Sequence, residues 1–152
     1  MFDIRPLKPR EIHLSVRFGQ AFHEELNLPG KFVPEVFVDN WMTFLANYPS
    51  VILSLWKDGE LAGGLGGLIA PDLYDARPYA QEFFWFIGKD YRGGTGAIRL
   101  LNAFEAWARE RLVSEIRMVH MVSSQEDQLE RLYTRLGYVK VEVCYRKQLD
   151  RI

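Results

Sequence analysis

The sequence of 152 residues lacks the features that would assign it to several classes of protein. It has one cysteine, Cys144, so it cannot form an internal disulfide and does not call for an oxidising compartment. Its formal net charge is −1, whereas a nucleic-acid-binding domain usually carries a clear basic excess. Its longest apolar stretch, residues 61–71, is too short and too glycine-rich to span a bilayer, and no signal peptide is recognisable. We therefore expect a cytoplasmic protein that binds neither nucleic acid nor membrane.

What the sequence does contain is enough apolar material for a packed core. Apolar residues make up 48% of the chain and aromatic residues 14%, which argues against disorder. The length suits a single domain, and no repeat, linker or low-complexity tract divides it. We predict one domain over residues 1–152.

Hydrophobic periodicity predicts a mixed α/β fold. Helices are expected near residues 9–26, 34–48, 97–112 and 123–136, and strands over 2–7, 51–56, 61–70, 79–87, 115–121 and 138–149. The last helix would begin at a capping box, Ser123 to Glu126, and end at Gly137.

A glycine-rich loop, Arg92-Gly93-Gly94-Thr95-Gly96-Ala97, separates the aromatic strand from an amphipathic helix. Glycines let the backbone turn sharply and approach a ligand closely, and a helix N-terminus favours phosphate. Arg92 would add a charge-assisted contact. The loop is neither a Walker loop nor a dinucleotide fingerprint, and a plain tight turn is the simpler interpretation of the motif taken alone.

A second motif, Leu132-Tyr133-x-x-x-Gly137-Tyr138, is by itself an ordinary apolar helix stripe with a glycine cap. Together with the loop and the order of elements, it resembles the GNAT superfamily of acyl-CoA-dependent N-acyltransferases over nearly the whole chain. The resemblance implies a mixed, mostly antiparallel sheet with helices on both faces and a splayed central strand. Two positions depart from the family pattern: Thr95 replaces a glycine, and Glu126 replaces an asparagine.

The resemblance also implies a binding site for acetyl-CoA as cosubstrate, without a metal. The pantetheine arm would pair with the backbone of the splayed strand, and the pyrophosphate would bind the loop. The residues so implied are Phe86, Ile87 and Gly88 on the strand and Arg92, Gly93, Gly94, Thr95, Gly96 and Ala97 in the loop.

Two catalytic residues follow from the resemblance. Tyr133 would protonate the departing CoA thiolate, a task that suits a phenol because it is neutral at pH 7. Glu82, acting through a water, would take the proton from the ammonium group of the acceptor. The aromatic residues around Glu82 in sequence would raise its pKa by desolvation. Alternatively, Glu82 points outward from the strand or only pairs with an arginine.

The acceptor site is less well defined by the sequence. Acidic and aromatic residues on the first helix and around the 71–78 loop would recognise a cationic amine, although each also suits a solvated surface; they are Glu24, Glu25, Asp72, Tyr74 and Tyr79. Residues 1–88 carry a net charge of −4 and residues 89–152 a net charge of +3. This division favours a polyanionic cofactor near the second half and a cationic acceptor near the first.

The sequence thus predicts an N-acetyltransferase acting on a small-molecule or peptide primary amine. The alternative is a catalytically silent protein of this fold that binds CoA or is structural, which the departures at Thr95 and Glu126 keep open. A longer acyl chain is a third possibility, but the bulky residues 83–86 favour acetyl. Residues 138–149 offer one long strand without a return strand, so an open sheet edge would allow a homodimer.

Overall fold

The computed structural model describes residues 1–121 and 126–150. Its five strands form one sheet in sequence order: β1 (Phe2–Pro6), β2 (Ser50–Lys57), β3 (Glu60–Pro71), β4 (Pro78–Ile87) and β5 (Glu115–Arg117). The α-helices are α1 (Val16–Glu25), α2 (Pro34–Asn47), α3 (Gly96–Glu110) and α4 (Glu126–Arg135), and 3-10 turns cover Pro9–Ser15 and Lys89–Tyr91. Strands β1 to β4 are antiparallel, and β5 runs parallel to β4. The predicted mixed, mostly antiparallel fold is confirmed.

Helices pack on both faces of the sheet, as predicted. On one face, α3 buries Leu100 and Phe104 against strand residues that include Leu55. On the other face, α2 contributes Trp41 and α1 contributes Phe18 to separate clusters. The apolar stripe that the sequence predicts for α3 is buried at Leu100, Leu101, Phe104, Trp107 and Ala108, whereas its first member, Ala97, is only half-buried.

Two glycines in β3 allow this two-sided packing. A Cβ atom on Gly67 would lie 2.6 Å from the Phe104 ring, and one on Gly66 would lie 2.6 Å from the Trp41 ring. The register between β3 and β4 shifts at these glycines, so that Gly67 is opposite Glu82 and Phe83 has no partner. The bulge at Phe83 changes which side chains of β4 face each side of the sheet.

Strand β4 is splayed from its neighbour β5. It pairs with β3 as far as Ile87, but its pairing with β5 ends where Gln81 meets Arg117. Gly88 donates its N–H to Ala62 of β3 at 2.8 Å, so the alternation of the strand turns the backbone of Ile87 toward the vacated side. The predicted splayed central strand is confirmed.

The predicted strand over residues 138–149 is wrong. In the described part of the chain, these residues belong to no strand, and β5 itself stops at Arg117 instead of continuing to residue 121. A strand needs a partner to satisfy its backbone groups, and within residues 1–121 and 126–150 these residues pair with none, not even with the open edge of β5. The predicted end of α4 is confirmed, because Gly137 has φ +88° and Tyr138 donates its N–H to Tyr133 at 2.9 Å. Residues 123–125 of the predicted capping box lie outside the described residues.

The helices are short. The longest, α3, has 15 residues, and within residues 1–121 and 126–150 no helix has the length and apolar character needed to cross a membrane.

Candidate functional site

The glycine loop leads directly into α3. Gly93 has φ +91°, a conformation that few side chains tolerate, and it turns the chain toward the helix. A Cβ on Gly96 would lie 2.8 Å from Leu55, so this glycine lets the helix start close to β2. Thr95 is the N-cap residue, is exposed, and makes no capping hydrogen bond with its side chain. The first N–H groups of α3 and the Thr95 hydroxyl can therefore donate hydrogen bonds to an anionic ligand.

Arg92 is tied to two other elements. Its terminal nitrogens donate to the two carboxylate oxygens of Glu25 on α1, each at 2.8 Å, and its Nε donates to the carbonyl of Ile87 at 2.8 Å. The guanidinium also lies over the Phe86 ring, 5.3 Å from its centre. The hydrogen bond from Arg92 lowers the pKa of Glu25, so the pair is ionised at neutral pH. Arg92 thus fixes the loop to β4 and to α1.

Glu82 is buried, which excludes the outward orientation. Its side chain is only 4% exposed, and Oε2 has no hydrogen-bond partner among the residues that the structure describes. Burial raises the pKa of the carboxyl to about 8, in the direction that the sequence predicted. The group can therefore exchange a proton close to physiological pH, as a general base must.

Tyr133 projects from α4 toward the sheet, and its side chain is only 8% exposed. Its hydroxyl donates to the carbonyl of Val119 at 2.9 Å. Burial, and secondarily the charge of Glu82, raise the pKa of the phenol well above its usual value. The phenol is therefore protonated at neutral pH and carries a proton that it can donate.

Two further aromatic side chains surround Tyr133. The rings of Trp85 and His120 lie 6.1 and 6.3 Å from the Tyr133 ring. Within residues 1–121 and 126–150, Trp85 Nε1 and His120 Nδ1 are buried without hydrogen-bond partners, like Glu82 Oε2. We call Glu82, Trp85, His120 and Tyr133 the Tyr133 cluster. Unpaired buried polar atoms are rare in folded proteins, so these three atoms need hydrogen-bond partners that a bound water or a polar ligand can supply.

A cavity of about 620 Å³ lies between α1 and the end of β4. The predicted cofactor residues Phe86 and Gly88 and the predicted acceptor residues Glu24 and Glu25 all line it. Its other charged residues are Arg17, Glu60, Lys89 and Asp90. Glu25 is already paired with Arg92, so the remaining lining has three acidic and two basic side chains, a small excess that favours a cationic molecule.

The structure does not bring the predicted acceptor residues together. Asp72, Tyr74 and Tyr79 lie at the beginning of β4, roughly 27 Å along the strand from Ile87. Arg117 donates to Asp72 at 3.1 Å and lies over the Tyr79 ring at 3.7 Å, so both are engaged in a structural cluster. The N–H of Tyr74 donates to Asp72 at 2.9 Å and lowers its pKa, while the Tyr74 ring is exposed.

Sequence reasoning missed Trp85 and His120. The sequence pattern assigned His120 no role in the site, and it marked Trp85 only as one of the aromatic neighbours of Glu82 and one of the bulky residues 83–86. The signal that marks them is the contact with Tyr133, which depends on how α4 packs on β4 and is absent from local sequence. Sequence reasoning also missed that Glu25 is the partner of Arg92, 67 positions away.

Residues 19–138, most of the chain, match the model of the acetyltransferase (GNAT) family. No curated protein sequence matches the chain significantly.

Solved structures share the fold. An aminoglycoside acetyltransferase from an uncultured soil metagenomic sample superposes with a TM-score of 0.77 at 17% identity, over 99% of both chains. The ribosomal-protein-alanine N-acetyltransferase of Brucella melitensis biovar Abortus 2308 superposes with a TM-score of 0.75 at 18% identity, over 99% of this chain and 100% of that one. AAC(6')-Iy in complex with the bisubstrate analogue CoA-S-monomethyl-acetylneamine superposes with a TM-score of 0.73 at 19% identity, over 98% of this chain and 99% of that one.

Proposed function

Because the chain belongs to the GNAT acetyltransferase family, we propose that it transfers an acetyl group from acetyl-CoA to a primary amine by direct attack. Acetyl-CoA supplies the activated thioester. The observation that carries the proposal is the burial of Glu82, with an unpaired oxygen, in the same cluster as Tyr133. That arrangement provides one proton acceptor and one proton donor beside the splayed strand.

The residues present suit the cosubstrate. The backbone of Ile87 faces the side of β4 that β5 leaves open, where an amide-containing arm can pair. The turn at Gly93 and the exposed hydroxyl of Thr95 lie at the start of α3, which suits a pyrophosphate. The Ile87 N–H is also the donor we propose for the thioester carbonyl as negative charge develops on its oxygen.

Glu82 prepares the acceptor. In its ionised form it takes a proton from the ammonium group, directly or through a water, and the freed lone pair on nitrogen attacks the carbonyl carbon. A carboxyl with its pKa near 8 holds this proton more strongly than an ordinary glutamate does.

Tyr133 completes the transfer. As the carbon–sulfur bond breaks, Tyr133 donates its proton to the sulfur, the nitrogen gives up its second proton, and the phenolate regains a proton, so that this exchange is balanced. Glu82 returns the proton it took to solvent, which releases the one net proton of the reaction. The raised pKa of the phenol keeps it protonated before the transfer.

We propose a cationic primary amine as the acceptor. The excess of acidic side chains around the cavity beside α1 supports this class. Two of the structures with this fold are named for an aminoglycoside and for a ribosomal-protein alanine as substrates, and both substrates carry amines.

The test is a panel of amines, including aminoglycosides, polyamines, amino acids and short peptides, assayed for amine-dependent release of CoA. Cys144 is a free and exposed cysteine, so we expect it to react with the thiol reagent that detects CoA, and the C144S variant removes this background. We expect turnover with at least one cationic amine. If no amine accelerates CoA release while acetyl-CoA still stabilises the protein against heat, transfer is excluded and CoA binding alone remains.

One observation favours that second function, a protein that binds CoA without catalysis. The proton of Tyr133 is directed at the Val119 carbonyl, so the phenol has to turn from it before it can serve a thiolate. A crystal structure with CoA separates the two functions: a Tyr133 hydroxyl that contacts the sulfur supports transfer, and one that stays on Val119 supports the silent protein.

A further inference from the structure

Two of the unpaired buried atoms in the Tyr133 cluster belong to side chains of the same strand. Glu82 and Trp85 lie three positions apart on β4, and side chains at that spacing point to opposite faces of a regular strand. The bulge of β4 takes one residue between them out of the register, so that Glu82 pairs with position 67 of β3 and Trp85 with position 65. The two side chains are therefore neighbours on one face of the sheet.

This shared face is the one that α3 covers. A Cβ on Gly67, the partner of Glu82, would lie 2.6 Å from the Phe104 ring of α3. Trp85 packs against the core that contains Phe104. Tyr133 reaches the same side from α4, with its ring 6.1 Å from that of Trp85. The carboxyl, the indole and the phenol therefore meet on one side of β4.

The two unpaired atoms on β4 are complementary. Trp85 Nε1 carries a hydrogen and can only donate, whereas an ionised Glu82 Oε2 can only accept. Both atoms are buried, and neither has a partner within residues 1–121 and 126–150, so they do not bond to each other. Side chains two register positions apart start from Cα atoms about 7 Å apart. One water molecule can bridge such a pair by accepting from the indole and donating to the carboxylate.

We propose that Trp85 is a positioning residue for the base: its indole N–H holds the water through which Glu82 takes the proton of the acceptor. The proposal rests on the proposed function and adds to it a residue and a fixed route for the proton. A water has two lone pairs, and the indole occupies one of them, so the other is available to the ammonium group.

The proton transfer through this water is balanced. As an N–H bond of the ammonium group breaks, its electron pair stays on nitrogen and becomes the lone pair that attacks the thioester. The proton passes to the water oxygen, and the water passes one of its own protons to Glu82. Trp85 neither gains nor loses a proton, because its N–H only orients the water.

No charged side chain competes for this carboxyl. Burial is the cause of the raised pKa of Glu82, and no charged group of the described residues contributes to it. On this face β3 and α3 present Gly67 and Phe104, neither of which titrates. The titratable neighbours are the Tyr133 phenol of α4 and, after β5, His120, whose ring lies 6.3 Å from that of Tyr133.

A merely structural role for Trp85 makes a different prediction. Its ring packs beside Tyr133, and phenylalanine would keep most of that contact while removing the N–H. The variant W85F therefore separates the two roles. The matched control is W107F, which makes the same change in a tryptophan of the same core whose ring stacks on Phe104.

The titration of Glu82 gives a test that needs no acetyl transfer. A donor that reaches the carboxylate through a water favours its ionised form, so loss of the donor should raise the midpoint of the titration. We expect a rise of about 0.5 to 1 pH unit in W85F and none in W107F. Infrared spectroscopy of the folded protein without CoA follows the band of the protonated carboxyl, which E82Q identifies by lacking it. The rise should persist in an H120Q background, which separates it from the imidazole.

Kinetics then test the role in transfer. We expect kcat/KM at pH 7 to fall about tenfold in W85F and to stay within about twofold in W107F. In the E82Q background, W85F should cost less than about twofold further, because the water then has no base to serve. A residue that acts only by packing would lower the rate equally with and without Glu82.

The outcomes are distinguishable from those of the proposed function. An unchanged midpoint in folded W85F, or an equal loss of rate in the two backgrounds, would overturn the proposal. A raised midpoint without acetylation of any amine would support Trp85 as the holder of the water and count against the reaction alone. If W85F does not fold, a crystal structure of the wild type decides: we expect a water within about 3.2 Å of both Trp85 Nε1 and Glu82 Oε2, and a dry contact there overturns the proposal.

Discussion

The guanidinium of Arg92 and the carboxylate of Glu25 form an ion pair through two hydrogen bonds of 2.8 Å each. This pair joins the loop before α3 to the end of α1. It also places a negative charge next to the arginine that would face the phosphates of CoA. A paired arginine attracts phosphate less than a free one does.

The variant E25Q should therefore bind CoA more tightly. Removing the carboxylate takes one negative charge from the surroundings of a polyanion, while the bond from Arg92 to Ile87 can remain. We expect the dissociation constant of CoA, measured by calorimetry at low salt, to fall about three- to tenfold, with the gain shrinking as salt is added. The matched control is E24Q on the same helix. Weaker binding by E25Q would instead show that Glu25 serves to position Arg92.

The variant G67A should destabilise the fold. Its Cβ would lie 2.6 Å from both the Gln81 carbonyl and the Phe104 ring, and the backbone oxygen cannot swing away as a flexible side chain can. We expect the free energy of unfolding to fall by about 1–3 kcal/mol. Denaturant unfolding measures it, and G94A is the control, because the nearest atom to its Cβ lies 3.7 Å away. Equal stability of G67A and wild type would contradict this packing.

These contacts show which parts of the structure local sequence can predict. Strands β2 to β4 and helix α3 were predicted to within a few residues, because the hydrophobic periodicity that marks them is a local signal. The strand over residues 138–149 was predicted from equally good alternation and is wrong for the described chain. Alternation reports which face is apolar, but it does not supply a partner.

The candidate site also combines features that local sequence predicts with features that depend on residues distant in sequence. The burial and raised pKa of Glu82 were foreseeable from its aromatic neighbours on one strand. The pairs Arg92–Glu25 and Arg117–Asp72 were not, because their members are 67 and 45 positions apart. Both pairs join the basic second part of the chain to the acidic first part. The uneven distribution of charge is therefore partly neutralised inside the molecule, and only the rest is available to attract ligands.

The variant Y133F should lower kcat about 100-fold while leaving the affinity for CoA within about twofold. The substitution removes the proton that we assign to the departing sulfur and keeps the ring that packs against Trp85. Steady-state kinetics and calorimetry measure the two quantities. Y138F is the control, since Tyr138 packs on Tyr133 but donates its own proton to Glu105 at 2.8 Å. Unchanged turnover in Y133F would remove the phenol from the mechanism.

The pH dependence of acetyl transfer should report Glu82. Because burial raises the pKa of its carboxyl to about 8, the base form becomes dominant only above that pH. We expect kcat/KM to rise with pH and level off above about 8, and E82Q to lose about 100-fold in rate together with this rise. The comparison of E82Q with wild type at several pH values separates Glu82 from the titration of the acceptor amine. A rise that persists unchanged in E82Q would belong to the amine.

The stability of the protein should also depend on Glu82, with a definite sign. The folded-state pKa of about 8 lies above the ordinary value of 4.5, so between these values the folded chain holds a proton that the unfolded chain has lost. Stability must therefore fall as pH rises across this window, by up to about 1.4 kcal/mol per pH unit from this group. The E82Q side chain cannot ionise, so the free energy of unfolding of E82Q relative to that of wild type should rise steadily from pH 4.5 to 8. Chemical denaturation of both proteins without CoA measures the difference, and a constant gap across the window would show that Glu82 titrates normally.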